Sequence, residues 1–179
     1  MDIYKTITKQ NPSWGITGVC WFFVLLSCFS RIIKQSYKSN RISFSQSLAY
    51  VAIYIYIWTV LESTVFTRIP QAYPQYELHI FWSWKALFVY HHNEMLKENI
   101  LNCILLMPYG CLLPVALNKR ISWKRGLMIG MGTSFVIELL QLITFRGLFE
   151  FDDIIHNSLG CMLGCLLGNK LLMLLGRKE

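Results

Sequence analysis

Apolar residues along this chain are gathered into blocks, with polar and charged residues confined to the stretches between them. The five long blocks are Trp14–Ile33, Ser45–Thr67, Ile100–Leu117, Gly126–Phe145 and Ile154–Leu175. A helix needs about 20 mainly apolar residues to cross a hydrocarbon core of about 30 Å, and each block meets or approaches that length. The apolar/polar alternation that marks a transmembrane barrel strand is absent. A helix satisfies all its own backbone groups in lipid. The pattern therefore predicts an all-α fold: a polytopic transmembrane bundle of about five spans, forming a single membrane domain over residues 1–179.

Composition agrees. Of 179 residues, 54% are hydrophobic and 15% charged, with a mean hydropathy of +0.41, whereas a soluble domain carries roughly 25% charge. The net charge of +7 raises the question of nucleic acid, and its placement answers it. Basic residues cluster in two short connections, Arg31/Lys34/Lys38/Arg41 and Lys119/Arg120/Lys124/Arg125, and recur in the tail at Lys170, Arg177 and Lys178. In a five-span chain these share one side, which the positive-inside rule makes cytoplasmic. The charge reads as topology. A multi-pass protein of the cell membrane with a cytoplasmic C-terminus is expected, and no nucleic-acid partner.

Lys5 and Lys9 ahead of the first block give it some character of a signal peptide. No small-residue cleavage site follows, however, and the basic flank after it behaves as a stop-transfer signal, so a retained helix is expected. The six cysteines, Cys20, Cys28, Cys103, Cys111, Cys161 and Cys165, fall inside predicted spans. Without C-x-x-C spacing they indicate neither a disulfide framework nor a zinc site. No metal ligand is assigned, and the sequence names no cofactor.

The long connection Arg68–Glu98 is rich in aromatic residues, among them Tyr73, Tyr76, Phe81, Trp82, Trp84 and Phe88. Structureless connections of such length are uncommon in compact domains, and amphipathic rings favour the headgroup region. An aromatic interfacial segment is predicted between spans two and three, either a plain belt or a lid over a ligand.

Two spans carry small-residue seams: Gly160, Gly164 and Gly168 in the fifth, and Gly126, Gly130 and Ser134 in the fourth. Small residues at every fourth position let helix backbones approach closely, within the chain or in a homo-oligomer. The polar residues share one depth. Asn102 stands near the outer start of the third span, Glu138 and Gln141 in the outer part of the fourth and Arg146 just beyond it. Asp152, Asp153, His156 and Asn157 open the fifth. Glu138 and Gln141 share a helix face, and Asp153 and Asn157 continue the stripe of the fifth span's seam. The seams are expected to aim these groups at one another in a pocket open to the outer leaflet.

A carboxylate at a span centre costs roughly 2.5–3.5 kcal/mol, so it usually faces a partner or a wet cavity. Glu138, Asp152 and Asp153 are the candidate catalytic groups, because paired carboxylates in a poorly solvated cleft acquire the separated pKa values that acid–base work requires. Asn102, Gln141, Arg146, His156 and Asn157 are the candidate substrate-binding groups. Simpler roles also fit: Asp152 or Asp153 as a helix cap, His156 as a partner of Asp152 on the helix surface, Arg146 as an interfacial anchor.

These residues carry a resemblance to the VanZ-like family of bacterial membrane proteins. Glu98–Asn102 leading into Met107–Pro114 resembles the family's N-x-x-x-F-x-P-x-G helix, with Leu106 and Met107 in place of the phenylalanine. Glu138-Leu139-Leu140-Gln141 resembles its E-x-x-Q. Arg146 through Gly164 resembles R-G-x-F-(D/E)-x-D-D-x-x-x-N-x-x-G-x-x-x-G. Phe81-Trp82-Ser83-Trp84 is similar to its Pro-Phe-(Trp/His)-Ser segment, with Ile80 replacing the proline. The resemblance covers about residues 61–168 and leaves out the first span. It implies a small polytopic helical protein of the cell envelope, associated in some members with resistance to teicoplanin-type glycopeptides. Its patterned polar positions fall here on Asn102, Glu138, Gln141, Arg146, Asp152, Asp153 and Asn157.

Three functional readings remain open. One is an enzyme acting on a membrane lipid or lipid-linked cell-wall precursor at the outer leaflet. Another is a non-catalytic protein that binds lipid or drug, or supports a partner. The third is a small transporter or flippase, for which no inverted repeat speaks.

Overall fold

The computed structural model describes residues 12–175, with side chains from Gly18 onward; Lys5, Lys9, Arg177 and Lys178 of the charge pattern lie outside them. The elements in order are α1 (Pro12–Lys38), α2 (Phe44–Leu61) continued by a π-turn (Glu62–Phe66), β1 (Gln75–Glu77), α3 (Trp82–Tyr90), α4 (Glu94–Leu105), α5 (Met107–Leu117), α6 (Trp123–Thr144), β2 (Leu148–Glu150) and α7 (Phe151–Leu174). Among the described residues five helical stretches are long and apolar enough to span a membrane: Gly18–Lys38, Phe44–Phe66, Glu94–Leu117, Trp123–Thr144 and Phe151–Leu174. The all-α, five-span, multi-pass architecture stands as the hydropathy pattern predicts it. The third span begins at Glu94 rather than Ile100 because its first turn is amphipathic, burying Met95 and Asn99 while Leu96 and Lys97 stay exposed.

Local chemistry sets the boundaries. Ser43 and Gln46 form a reciprocal capping box at the start of α2, which satisfies two of the N–H groups that a helix start leaves open. Between α4 and α5 the third span breaks at Leu106, just ahead of Pro108, since proline lacks an N–H and clashes with the preceding turn. The Leu105 carbonyl at the break accepts the Tyr56 hydroxyl at 2.7 Å. A neighbouring helix thus restores a backbone bond that the lipid cannot supply.

The glycine seams decide the packing. A methyl group at Gly160, Gly164 or Gly168 would collide with the carbonyl oxygens of Cys103, Met107 and Cys111 respectively, so α7 lies backbone to backbone on α4 and α5. On its other side, Gly130 of α6 admits Cys161 and Ser158, and Gly126 admits Cys165. Both seams are therefore occupied within one chain, and a homo-oligomer would have to use other faces. Cys161 and Cys165 are buried free thiols in the apolar core, with Val60, Val65, Leu106, Leu113, Ile121 and Ile137.

The two ends of the bundle differ. At the basic end, Asn169 mimics a backbone partner: its amide accepts from the Ile121 N–H and donates to the Ile121 carbonyl, both at 2.9 Å. At the polar end the aromatic segment is ordered into β1 and α3. β1 pairs in parallel with β2, matching Gln75 with Leu148, Tyr76 with Phe149 and Glu77 with Glu150. That short ladder ties the long connection to the start of α7.

Candidate functional site

Because β2 runs directly into α7, Asp152 and Asp153 occupy the helix's first turn and point to different neighbours. Asp152 is 1% exposed. Its carboxylate accepts the Phe81 N–H at 2.5 Å, the Ser83 N–H at 2.9 Å and the Ser83 hydroxyl at 2.5 Å. It therefore caps α3 from across the chain, an anion at a helix N-terminus. The bond to Phe81 holds that residue at φ 64°, a conformation bulky side chains rarely adopt. One turn on, His156 Nε2 accepts the Trp84 indole N–H at 3.0 Å. Its Nδ1 is buried without a partner. Asp152 and His156, predicted for chemistry and substrate, are both engaged in seating the aromatic segment.

The remaining acids lie together. Asp153 accepts a hydrogen bond from the Asn102 amide at 2.5 Å. Glu138, 2% exposed, accepts the Glu150 backbone N–H at 3.1 Å. The Glu150 carboxylate accepts the Trp82 indole N–H at 3.1 Å. Arg68 is within electrostatic reach of Glu138, Asp153 and Glu150 and supplies the cluster's cation. Gly147 makes room for it: a methyl there would stand 2.8 Å from Gln141 Oε1 and 3.1 Å from Arg68 Nη1. Glu138 and Gln141 are buried, whereas Asn102, Arg68, Glu150 and Asp153 are half-buried.

Two further predicted binding residues have partners of their own. Arg146 donates to the Phe66 carbonyl at the end of the π-turn, and Asn157 donates to Ser134 at 2.9 Å. The Asn157 oxygen and the Asn99 amide nitrogen are buried with no protein partner, atoms that ordinarily call for water or a ligand. Among the described residues no three of His, Cys, Asp and Glu converge as a metal-binding group.

Sequence reasoning missed Arg68, Glu150 and Ser83 as site residues. Glu150 and Ser83 lie within the blocks that resemble the family's motifs, which is the signal that marks them. Arg68 stands at the exit of the second span, at the depth of the other polar groups, but a basic residue there reads first as an interfacial anchor.

Charge is tuned by burial here. Burial, and then the Asp153 charge, pushes Glu150 up from an ordinary 4.5 to about 8. Burial lowers the Arg68 guanidinium, opposed by the charges of Glu138, Asp153 and Glu150. A guanidinium starts so high that it stays cationic. For Glu150 the folded value exceeds the unfolded one, so the folded state holds the extra proton between them. Its contribution to stability is therefore greatest below about pH 4.5 and is lost as pH rises toward about 8. Thermal unfolding in detergent between pH 5 and 9 is expected to show that decline, and Glu150→Gln to flatten it; an unchanged slope in the variant would refute the assignment.

A family model, VanZ/LLP1, matches residues 14–173. The chain belongs to the VanZ/LLP1 family. The match takes in α1 as well as the motif-bearing spans, so this VanZ/LLP1 protein is matched across the five spans found among the described residues. No curated protein and no solved structure gives a match.

Proposed function

We propose that this VanZ/LLP1 protein works in the bacterial cell envelope with the polar end of its bundle facing outward and its C-terminus in the cytoplasm. There it holds or modifies a membrane lipid or lipid-linked cell-wall precursor and so lowers susceptibility to teicoplanin-type glycopeptides. One observation carries the reading: three acids collect at one end of the bundle, Glu138 buried on the Glu150 N–H, Asp153 on the Asn102 amide and the Glu150 carboxylate on the Trp82 indole, with the Arg68 guanidinium beside Gly147 in electrostatic reach of all three. Such a cluster costs free energy that a purely structural bundle has no reason to spend. Glu138 and Asp153 would act as the proton-handling pair, with Asn102 and Gln141 orienting the ligand. Asp152 and His156 are positioning residues that seat the aromatic segment over the site.

Glu138→Gln tests this. The amide can still accept the Glu150 N–H, so the fold should survive. In a glycopeptide-sensitive host expressing the chain, the variant is expected to lose the protective effect at unchanged protein level. General acid–base loss would correspond to about 10²–10⁴-fold in rate. Full protection by Glu138→Gln would sink the acid–base reading. If joint substitution of Trp82 and Trp84 then abolished protection, a non-catalytic binding role would be favoured.

A further inference from the structure

Two hollows outside the carboxylate cluster meet at Ile80. The first, about 540 Å³, lies between α3 and the start of α4, with Trp82, Lys85, Tyr90, His92 and Met95 in its wall. The second, about 510 Å³, is an apolar groove between α6 and α7 that runs past Phe151 and Ile154 to Phe135, Gly132 and Met128. From Phe135 to Met128 the groove follows about 10 Å of helix, along a face whose methionines and phenylalanine are exposed at 71% for Met128, 49% for Met131 and 46% for Phe135.

Gly132 separates this groove from the seams. A methyl group at Gly126 or Gly130 would press on α7, whereas one at Gly132 meets nothing within 4 Å. No helix contact in the chain requires a glycine at that position, and the small residue leaves the groove open. The hollow at its mouth carries Lys85, with His92 beside it; His79, also in its wall, is paired with the Glu77 carboxylate at 2.6 Å, which leaves Lys85 as the permanent cation among the lining residues. An apolar channel entering a tryptophan- and tyrosine-lined hollow that presents the Lys85 ammonium at the end of a membrane bundle matches a lipid's tail and an anionic headgroup.

We propose that hollow and groove form one site for a membrane lipid with a phosphate-bearing headgroup: the phosphate beside Lys85, one hydrocarbon chain along the groove over Gly132. The proposal rests on the reading above and supplies its ligand class. Trp82 joins the two regions, its ring in the wall of the hollow and its indole N–H on Glu150. A lipid seated there would have its headgroup one side chain away from the carboxylates.

The test is lipid binding by the purified full chain, with phosphatidylglycerol and phosphatidylcholine as probes and native mass spectrometry as the readout. The wild type is expected to retain phosphatidylglycerol in preference to phosphatidylcholine. Lys85→Ala should reduce that preference by about fivefold, the weight of one lysine beside an anionic surface. Gly132→Phe should weaken both lipids by about tenfold, equivalent to losing the burial of about two methylene groups. Lipid retention is read on the purified protein and glycopeptide protection in the host, so failure of the acid–base reading and failure of the lipid site are read separately. Equal retention of both lipids by the wild type would overturn the proposal. So would wild-type binding in a Gly132→Phe protein that melts normally.

Discussion

Asp152→Asn is expected to release the aromatic segment from the bundle while leaving the five spans assembled. Three donors converge on this carboxylate: two backbone N–H groups and the Ser83 hydroxyl. Hydrogen bonds to a charged group contribute about 1.5–3 kcal/mol each, and an orphaned buried donor costs about 1–3 kcal/mol. The amide keeps one acceptor oxygen and turns an NH2 toward either Phe81 or Ser83, so at least one donor is left facing another. Keeping the one remaining oxygen on the two Ser83 donors turns the NH2 toward the Phe81 N–H, which loses the bond that holds its left-handed backbone, and the start of α3 loosens. Limited proteolysis should cut within residues 78–90 at a rate at least tenfold above wild type, a change of about 1.4 kcal/mol in opening. Fluorescence of Trp82 and Trp84 should report a wetter environment. A variant whose segment stays protected but which loses its cellular effect would instead make Asp152 part of the chemistry.

Gly160→Ala is expected to do more damage, and to the bundle itself. A single methyl there overlaps the Cys103 carbonyl. The opposing atom is backbone, with no rotamer by which to retreat, so the helices must separate. Overpacking costs about 1–3 kcal/mol even where side chains can adjust; this site belongs at or above the upper end. The separation would also strain the Asn102–Asp153 hydrogen bond, since it joins the same two helices, α4 and α7. Gly132→Ala is the matched control, because its methyl meets open space. Yield of monodisperse protein and the thermal midpoint should fall for Gly160→Ala and hold for Gly132→Ala. Equal behaviour of the two would mean that α7 does not pack through its seam.

The spans were legible because hydropathy is a local property, and each block boundary falls within a few residues of a helix end except where Glu94–Asn99 adds an amphipathic turn. The depth shared by Asn102, Glu138, Gln141 and Asp153 was legible too, since alternating spans bring those ends together. The division of labour among the acids was not. Asp152 and Asp153 are adjacent and chemically alike, yet one caps α3 and the other meets Asn102. Their directions differ by one helical step, and the partner in each direction comes from a distant segment.

Sequence alone determined the membrane class, the five spans, the two glycine seams and the end at which polar groups collect, because each follows from residue type and spacing along one helix. Only the tertiary structure decided that the seams meet neighbours in the same chain, that Asp152 and His156 hold the aromatic segment, and that Arg68 and Glu150 complete the cluster. Those outcomes depend on which backbone lies opposite, at separations of up to about 70 residues in the case of Asp152 and Ser83. A pattern read along one strand of sequence carries no record of its partner across the bundle.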